Sequence, residues 1–200
     1  MILFKKILKW VGIILVSAFI ILVIVRAFHF YNLDKTNAEV AKIHATKLTL
    51  DDVMGKNLPP DPGANADATI AGIDANQNGI RDDVELAIFK AYPNSAKTRA
   101  VLLQYALALQ MEFTQPIVNK DTVIAIAQEI SRASMCIGDV VSRNDINKFT
   151  QITNMYDDFV KNKQINNQTR KDAEKSFYEN LGSYADLPYT CDVDLNKLPN

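Results

Sequence analysis

The chain has 200 residues, with 22 basic and 23 acidic side chains for a formal net charge of −1. That balance excludes the strongly basic composition of a nucleic-acid-binding domain. Its two histidines and two cysteines are not spaced as zinc or iron ligands, and no Gly-rich phosphate loop occurs.

Lys5, Lys6 and Lys9 precede an apolar run over residues 10–25, which Arg26 closes, and residues 1–31 contain no acid. A bilayer core takes about 20 helical residues to cross. Residues 7–28 supply that length if Lys9 and Arg26 reach the two interfaces. Trp10 and the Phe28, Phe30, Tyr31 group suit the aromatic belts, and the three lysines favour a cytoplasmic N-terminus. Val25-Arg-Ala27 loosely fits a signal-peptide cleavage site, but the apolar run exceeds the usual 7–15 residues. Residues 1–31 are therefore read as a retained signal-anchor, crossing the membrane once. The remainder then lies outside the cytoplasm. Four of the basic residues belong to the anchor, which leaves 18 against 23 acids. That acidic balance disfavours nucleic acid and anionic membrane surfaces as partners.

Residues 32–70 read as a connector. Residues 32–47 have weak helical character and extend the membrane helix outward. Thr49-Leu-Asp-Asp52 has the form of a helix N-cap. Asn57-Leu-Pro-Pro-Asp-Pro-Gly63 predicts an extended, Pro-rich strap, because proline lacks an N–H and restricts the residue before it.

Next comes Asp74-Ala-Asn-Gln-Asn-Gly-Ile-Arg-Asp-Asp-Val-Glu85, which places oxygen-bearing side chains at loop positions 1, 3, 5, 9 and 12 and glycine at position 6. Calcium takes six to eight hard oxygen ligands, and this spacing lets them converge. The expected ligands are Asp74, Asn76, Asn78, the carbonyl of Ile80, Asp82 and Glu85. Gly79 allows the sharp turn. With asparagine at two usually acidic positions the ligand charge is about −3, which suits weak binding on the order of 10⁻⁴–10⁻³ M. The plainer alternative is an Asn-Gly turn followed by a helix with acids in its first turn.

Five helices are predicted beyond the loop. The first runs over about residues 82–92 and stops at Pro93. The second starts from Asn94 or Ser95 and ends before Pro116, with Leu102, Tyr105, Leu109 and Phe113 on one stripe. The third is capped by Asn119 or Asp121 and carries Val123, Ala127, Ile130, Ser134, Ile137 and Val141 at helical spacing. The fourth follows Ser142-Arg-Asn-Asp145, the fifth follows Thr169-Arg-Lys-Asp172 and stops at Gly182. The aromatic stripes read as core. No segment has convincing strand periodicity, so the fold class is all-α. Residues 71–200 are expected to form one helical domain of about five helices. An oxidising compartment favours pairing Cys136 with Cys191, which would pin the Pro-containing tail to the helices. The adjacent acids Asp51/Asp52 and Asp157/Asp158 read as solvated faces and helix-start charges.

The loop resembles those of the EF-hand family, and more closely the single-loop dockerin-like and thrombospondin-type-3-like calcium loops. Arg81 stands at position 8, where a classical EF-hand has an aliphatic residue that pairs with a sister loop, and no second loop occurs. The resemblance therefore implies a lone structural site rather than a sensor. Leu58-Pro-Pro-Asp-Pro-Gly63, the segment 72–85 and Tyr92-Pro93 together resemble a group of uncharacterised proteobacterial membrane-anchored envelope proteins. That implies a bacterial inner-membrane protein with its helical domain in the periplasm. The preferred expectation is a calcium-stabilised module that acts through contacts with an unidentified protein partner. The alternative is an envelope hydrolase with structural calcium, its carboxylates assembled from distant residues. His29 and His44 offer no nucleophile pairing.

Overall fold

Helix α1 (Ile2–Ala45) opens the computed structural model, which describes residues 2–199. From Phe4 to Leu33 its large apolar side chains are exposed, and the helix is long and apolar enough to cross a membrane. The chain forms two compact units, one up to Glu39 and one from Val40 onward.

In the second unit the connector contributes to the core. Ile43, Leu48 and Val53 are all buried. Helix α2 (Leu50–Val53) starts from the expected cap: the Asp52 N–H donates to Thr49 Oγ1 at 3.3 Å, and the Thr49 N–H donates to the Asp52 carboxylate at 2.9 Å. Residues 58–62 have no regular structure, and a 3₁₀ turn follows at Gly63–Asp67.

Five α-helices follow the loop: α3 (Asp82–Ala91), α4 (Ala96–Thr114), α5 (Lys120–Ile137), α6 (Ile146–Gln164) and α7 (Gln168–Glu179). The fold is all-α, with no strand among the described residues. The stops and caps follow local chemistry. Pro93 and Pro116 lie just past the ends of α3 and α4. Ser95 caps α4, Asn119 caps α5 and Asp145 caps α6, each with its side-chain oxygen on a backbone N–H of the first turn. Helix α7 differs from expectation. It begins at Gln168, because Asn167 accepts from the Arg170 N–H at 3.0 Å and caps it earlier; it ends at Glu179, before Gly182.

Nearly every residue of α4 is buried, and α3, α5, α6 and α7 all pack on it. A helix apolar on all sides belongs at the centre of a helical domain. The tail is irregular apart from a 3₁₀ turn at Leu195–Lys197. The Cys136–Cys191 disulfide fastens it to α5, with the two Cα atoms 5.5 Å apart.

Buried arginines hold the irregular segments through backbone carbonyls. Arg170, fully buried, donates to the carbonyls of Ala66, Thr69 and Ile70 and pairs with Asp67 at 2.5 Å. The hydrogen bonds from Arg170 and then Asn166 hold the Asp67 carboxyl below its ordinary pKa. Arg99 donates to the carbonyls of Val53, Tyr92 and Pro93 while lying over the Phe89 ring at 4.9 Å. A planar guanidinium with five N–H donors is suited to bridging several carbonyls at once.

Candidate functional site

Two left-handed residues shape the loop, Gln77 (φ 58°) and Gly79 (φ 84°). A Cβ on Gly79 would lie 2.7 Å from Leu107 Cδ1, which would have to shift, and the left-handed backbone there favours glycine. The Asp74 carboxylate closes the turn from inside. Its Oδ1 accepts from the Asn78 N–H at 3.1 Å and its Oδ2 from the Gly79 N–H at 2.9 Å.

The side chains at positions 3, 5 and 12 meet. The Asn76 and Asn78 amides both donate to Glu85 Oε2, at 3.1 and 3.0 Å. Glu85 sits in the first turn of α3 and is 1% exposed. Burial pushes its pKa up to about 7, against the stabilising effect of the two amides. Asn76 also donates to the Asn57 carbonyl at 2.9 Å, which ties the Pro-rich segment to the loop. Ile80 is fully buried, with its N–H on Asn78 Oδ1 at 2.9 Å. Asp82 is fully buried as well, and burial raises its pKa. Its carboxylate receives the Ala75 N–H at 3.0 Å and does not touch Glu85 through a hydrogen bond.

These residues suit a hard cation in their donor chemistry. An asparagine amide turned over about χ2 exchanges its nitrogen for its oxygen. Asn76, Asn78 and Glu85 would then present oxygens to one point beside Asp74. Among the described residues no group of three or more His, Cys, Asp or Glu is placed to hold a metal. A cation held here would depend on amide and carbonyl oxygens beside the acids, a donor set that suits calcium better than zinc.

Arg81 has a role that its loop position did not suggest. It is fully buried, pairs with Asp83 at 2.5 Å, and donates to the carbonyls of Lys163 and Gln164 at 2.7 and 3.1 Å. Those carbonyls end α6, where a cation is favoured by the helix dipole. Gly72 (φ 72°) makes room, since a Cβ there would lie 2.4 Å from Arg81 Cδ. The loop is therefore fixed to α6 by position 8, where a classical EF-hand would pair with a second loop.

A second polar group involves His44. Its Nδ1 lies 2.8 Å from Glu129 Oε1, while Lys47 and Arg132 donate to Glu129 Oε2 at 2.9 Å. Burial works to raise the Glu129 pKa, but these three donors together hold it below its ordinary value. Arg132 also reaches Asp192 at 2.7 Å, and Asp192 accepts from the Leu48 N–H at 2.9 Å. The group joins the end of α1, helix α5 and the tail.

Asp51 and Asp52 are the expected helix-start charges. Asp157 is not on a solvated face. Its Oδ2 accepts from Ser134 Oγ at 3.3 Å, and its Oδ1 is buried with no protein donor. Glu112 is a further buried acid that the sequence did not single out. Its Oε1 receives Tyr178 Oη at 3.4 Å and its Oε2 has no donor. Burial, then Glu174, push its pKa up to about 8. The native state therefore holds this proton more tightly than the unfolded chain, whose value is 4.5. Its contribution to stability is present below that value and is lost as pH rises toward about 8. In saturating calcium, Glu112→Gln is expected to raise stability at pH 8 by about 1–3 kcal/mol and to flatten the loss between pH 5 and 8. Urea unfolding at several pH values measures this; equal slopes in the two proteins would refute it.

Against known proteins, the chain matches no family model, no curated protein and no solved structure.

Proposed function

We propose that the chain is a single-pass protein of a bacterial inner membrane. Its N-terminus lies in the cytoplasm and its helical domain in the periplasm. Loop 74–85 binds one calcium ion of the EF-hand-like, dockerin- or thrombospondin-type-3-like kind, and the ion orders the domain. The domain acts through contacts with another envelope protein. The supporting observation is the meeting of Asn76, Asn78 and Glu85 at one buried point beside Asp74. A buried carboxylate whose hydrogen bonds come only from neutral amides is best complemented by a cation. Calcium would use Asp74, Asn76, Asn78, the Ile80 carbonyl and Glu85, with Asp82 directly or through water. It would then connect the Pro-rich segment, the loop and α3. The apolar groove beside α5 and α6 is lined by a single carboxylate, Asp157, so it offers no carboxylate pair for glycoside hydrolysis.

Calcium at 10 mM is expected to stabilise the domain by about 1.5–2.5 kcal/mol for binding near 10⁻⁴–10⁻³ M. That corresponds to a rise in Tm of roughly 4–8 °C for a domain of this size. Differential scanning calorimetry with calcium, with magnesium and with chelator tests it, alongside Glu85→Gln. An unchanged Tm in calcium, or an equal rise in Glu85→Gln, would rule the site out. Crosslinking from membranes with and without chelator then asks whether the ion also governs the partner.

A further inference from the structure

One face of α1 carries Ala18, Ile21, Leu22, Val25, Arg26 and His29, which line a single shallow furrow along the helix. Residues three and four apart share a helix face, so the row is continuous. Its apolar part ends at two polar side chains, Arg26 and His29, both exposed. Phe30 braces that end. The Arg26 guanidinium lies 4.9 Å from the Phe30 ring centroid, and the His29 ring lies 6.0 Å from it, centroid to centroid. Among the described residues Arg26 has no carboxylate partner. Residues 1–31 contain no acid, and the first one, Asp34, is eight residues past Arg26, about 12 Å along the axis. The other arginines are already engaged: Arg81, Arg99, Arg132 and Arg170 are buried and donate to carbonyls or carboxylates, and Arg143 faces Asp139. Arg26 is thus a cation left without a counter-ion where the apolar run closes. At the edge of a bilayer such a side chain reaches headgroup depth, where phosphates are the available anions. From Ala18 to Arg26 is about 12 Å of helix, which fits within the ~15 Å hydrocarbon depth of one leaflet.

We propose that this face of α1 binds one phospholipid of net negative headgroup, its phosphate on Arg26 and His29 and an acyl chain along Val25, Leu22 and Ile21. A guanidinium holds a phosphate through two parallel N–H donors, and the imidazole N–H adds a third. A zwitterionic lipid brings the same phosphate with an ammonium that finds no acid here, so the anionic headgroup is favoured. A second copy of the helix fits the face less well. A symmetric parallel pair would bring two Arg26 side chains together at one depth with nothing between them to offset their charge. The site rests on α1 crossing the membrane and is independent of the calcium loop.

The test floats the full chain in phosphatidylcholine vesicles with a trace of photoactivatable phosphatidylglycerol or, in parallel, photoactivatable phosphatidylcholine, the reactive group in the acyl chain. Peptide mass spectrometry locates the lipid adducts. Adducts on residues 18–25 are expected to be about 5-fold more abundant with phosphatidylglycerol. Arg26→Gln should bring that ratio close to equality, and Phe30→Leu should lower it by about 2-fold by releasing the guanidinium. Lys6→Gln, at the other end of the apolar run, should leave the ratio at 18–25 unchanged, which separates this face from a general attraction of anionic lipid. Equal labelling by the two lipids, or a ratio in Arg26→Gln like the parent's, overturns the proposal. Efficient crosslinking between copies through Leu22→Cys would give the face to a second copy and overturns it as well. A chain that does not float with the vesicles removes the membrane span and the site together, whereas one that floats and labels evenly removes the site alone.

Discussion

Replacing Arg81 by methionine is expected to destabilise the domain by about 3–5 kcal/mol, the cost of removing one member of a buried charge network. Methionine keeps much of the volume, so the loss is electrostatic. The Lys163 and Gln164 carbonyls at the end of α6 lose their donors, and Asp83 loses its bidentate partner. A fall in Tm of roughly 10–15 °C follows for a domain of this size. Arg81→Lys should restore only part of it, because one ammonium cannot match the guanidinium's spread of donors. Gly72→Ala approaches the same clamp from the other side. Its Cβ would fall on the Arg81 side chain, at a residue whose φ of 72° already disfavours a Cβ. Urea unfolding monitored by circular dichroism measures both. If Arg81→Met and Gly72→Ala each stay within 1 kcal/mol of the parent, the loop is not held to α6 by this contact.

The contrast between Arg81 and the helix caps shows what could be read from the sequence. Ser95, Asn119 and Asp145 announce helix starts because the capping oxygen and the N–H it accepts lie within three residues of each other. The loop was legible for a similar reason: Asp74, Asn76, Asn78 and Gly79 act on one another across five residues. The disulfide was legible from cysteine count and compartment alone. Arg81, Arg99 and Arg170 were not, because most of their partners are backbone carbonyls, and a carbonyl has no residue type to recognise. Asp157 was misread because adjacent acids on a helix usually face water. It is half-buried, and its side-chain partner is Ser134, 23 residues away on another helix. Glu112 is likewise buried by the way α4 lies at the centre, which no local pattern displays. The capping of α7 by Asn167 was local and readable, but Thr169 offered a competing capping-box pattern two residues later.

Removing the disulfide with Cys136→Ser and Cys191→Ser is expected to cost about 4 kcal/mol, as the bond spans 55 residues of chain. The larger consequence lies next door. Asp192 follows Cys191 directly and brings the tail to the Leu48 N–H and to Arg132. With the bond intact the tail is held at α5, and Asp192 meets these partners without further ordering. Without it, the same contacts must also restrain a free tail, so they form less completely. Asp192→Asn is therefore expected to cost about 2–3 kcal/mol in the oxidised protein and under about 1 kcal/mol in the double serine variant. Glu129 behaves differently, because its donors are His44, Lys47 and Arg132, none of them on the tail. Its lowered pKa contributes stability above the ordinary carboxyl value of 4.5, and that contribution is lost as pH falls below it, with or without the bond. A double-mutant cycle at pH 7 and pH 4 separates the two. Equal costs for Asp192→Asn in both backgrounds would show that the tail finds its place without the disulfide, leaving the bond a loop constraint alone.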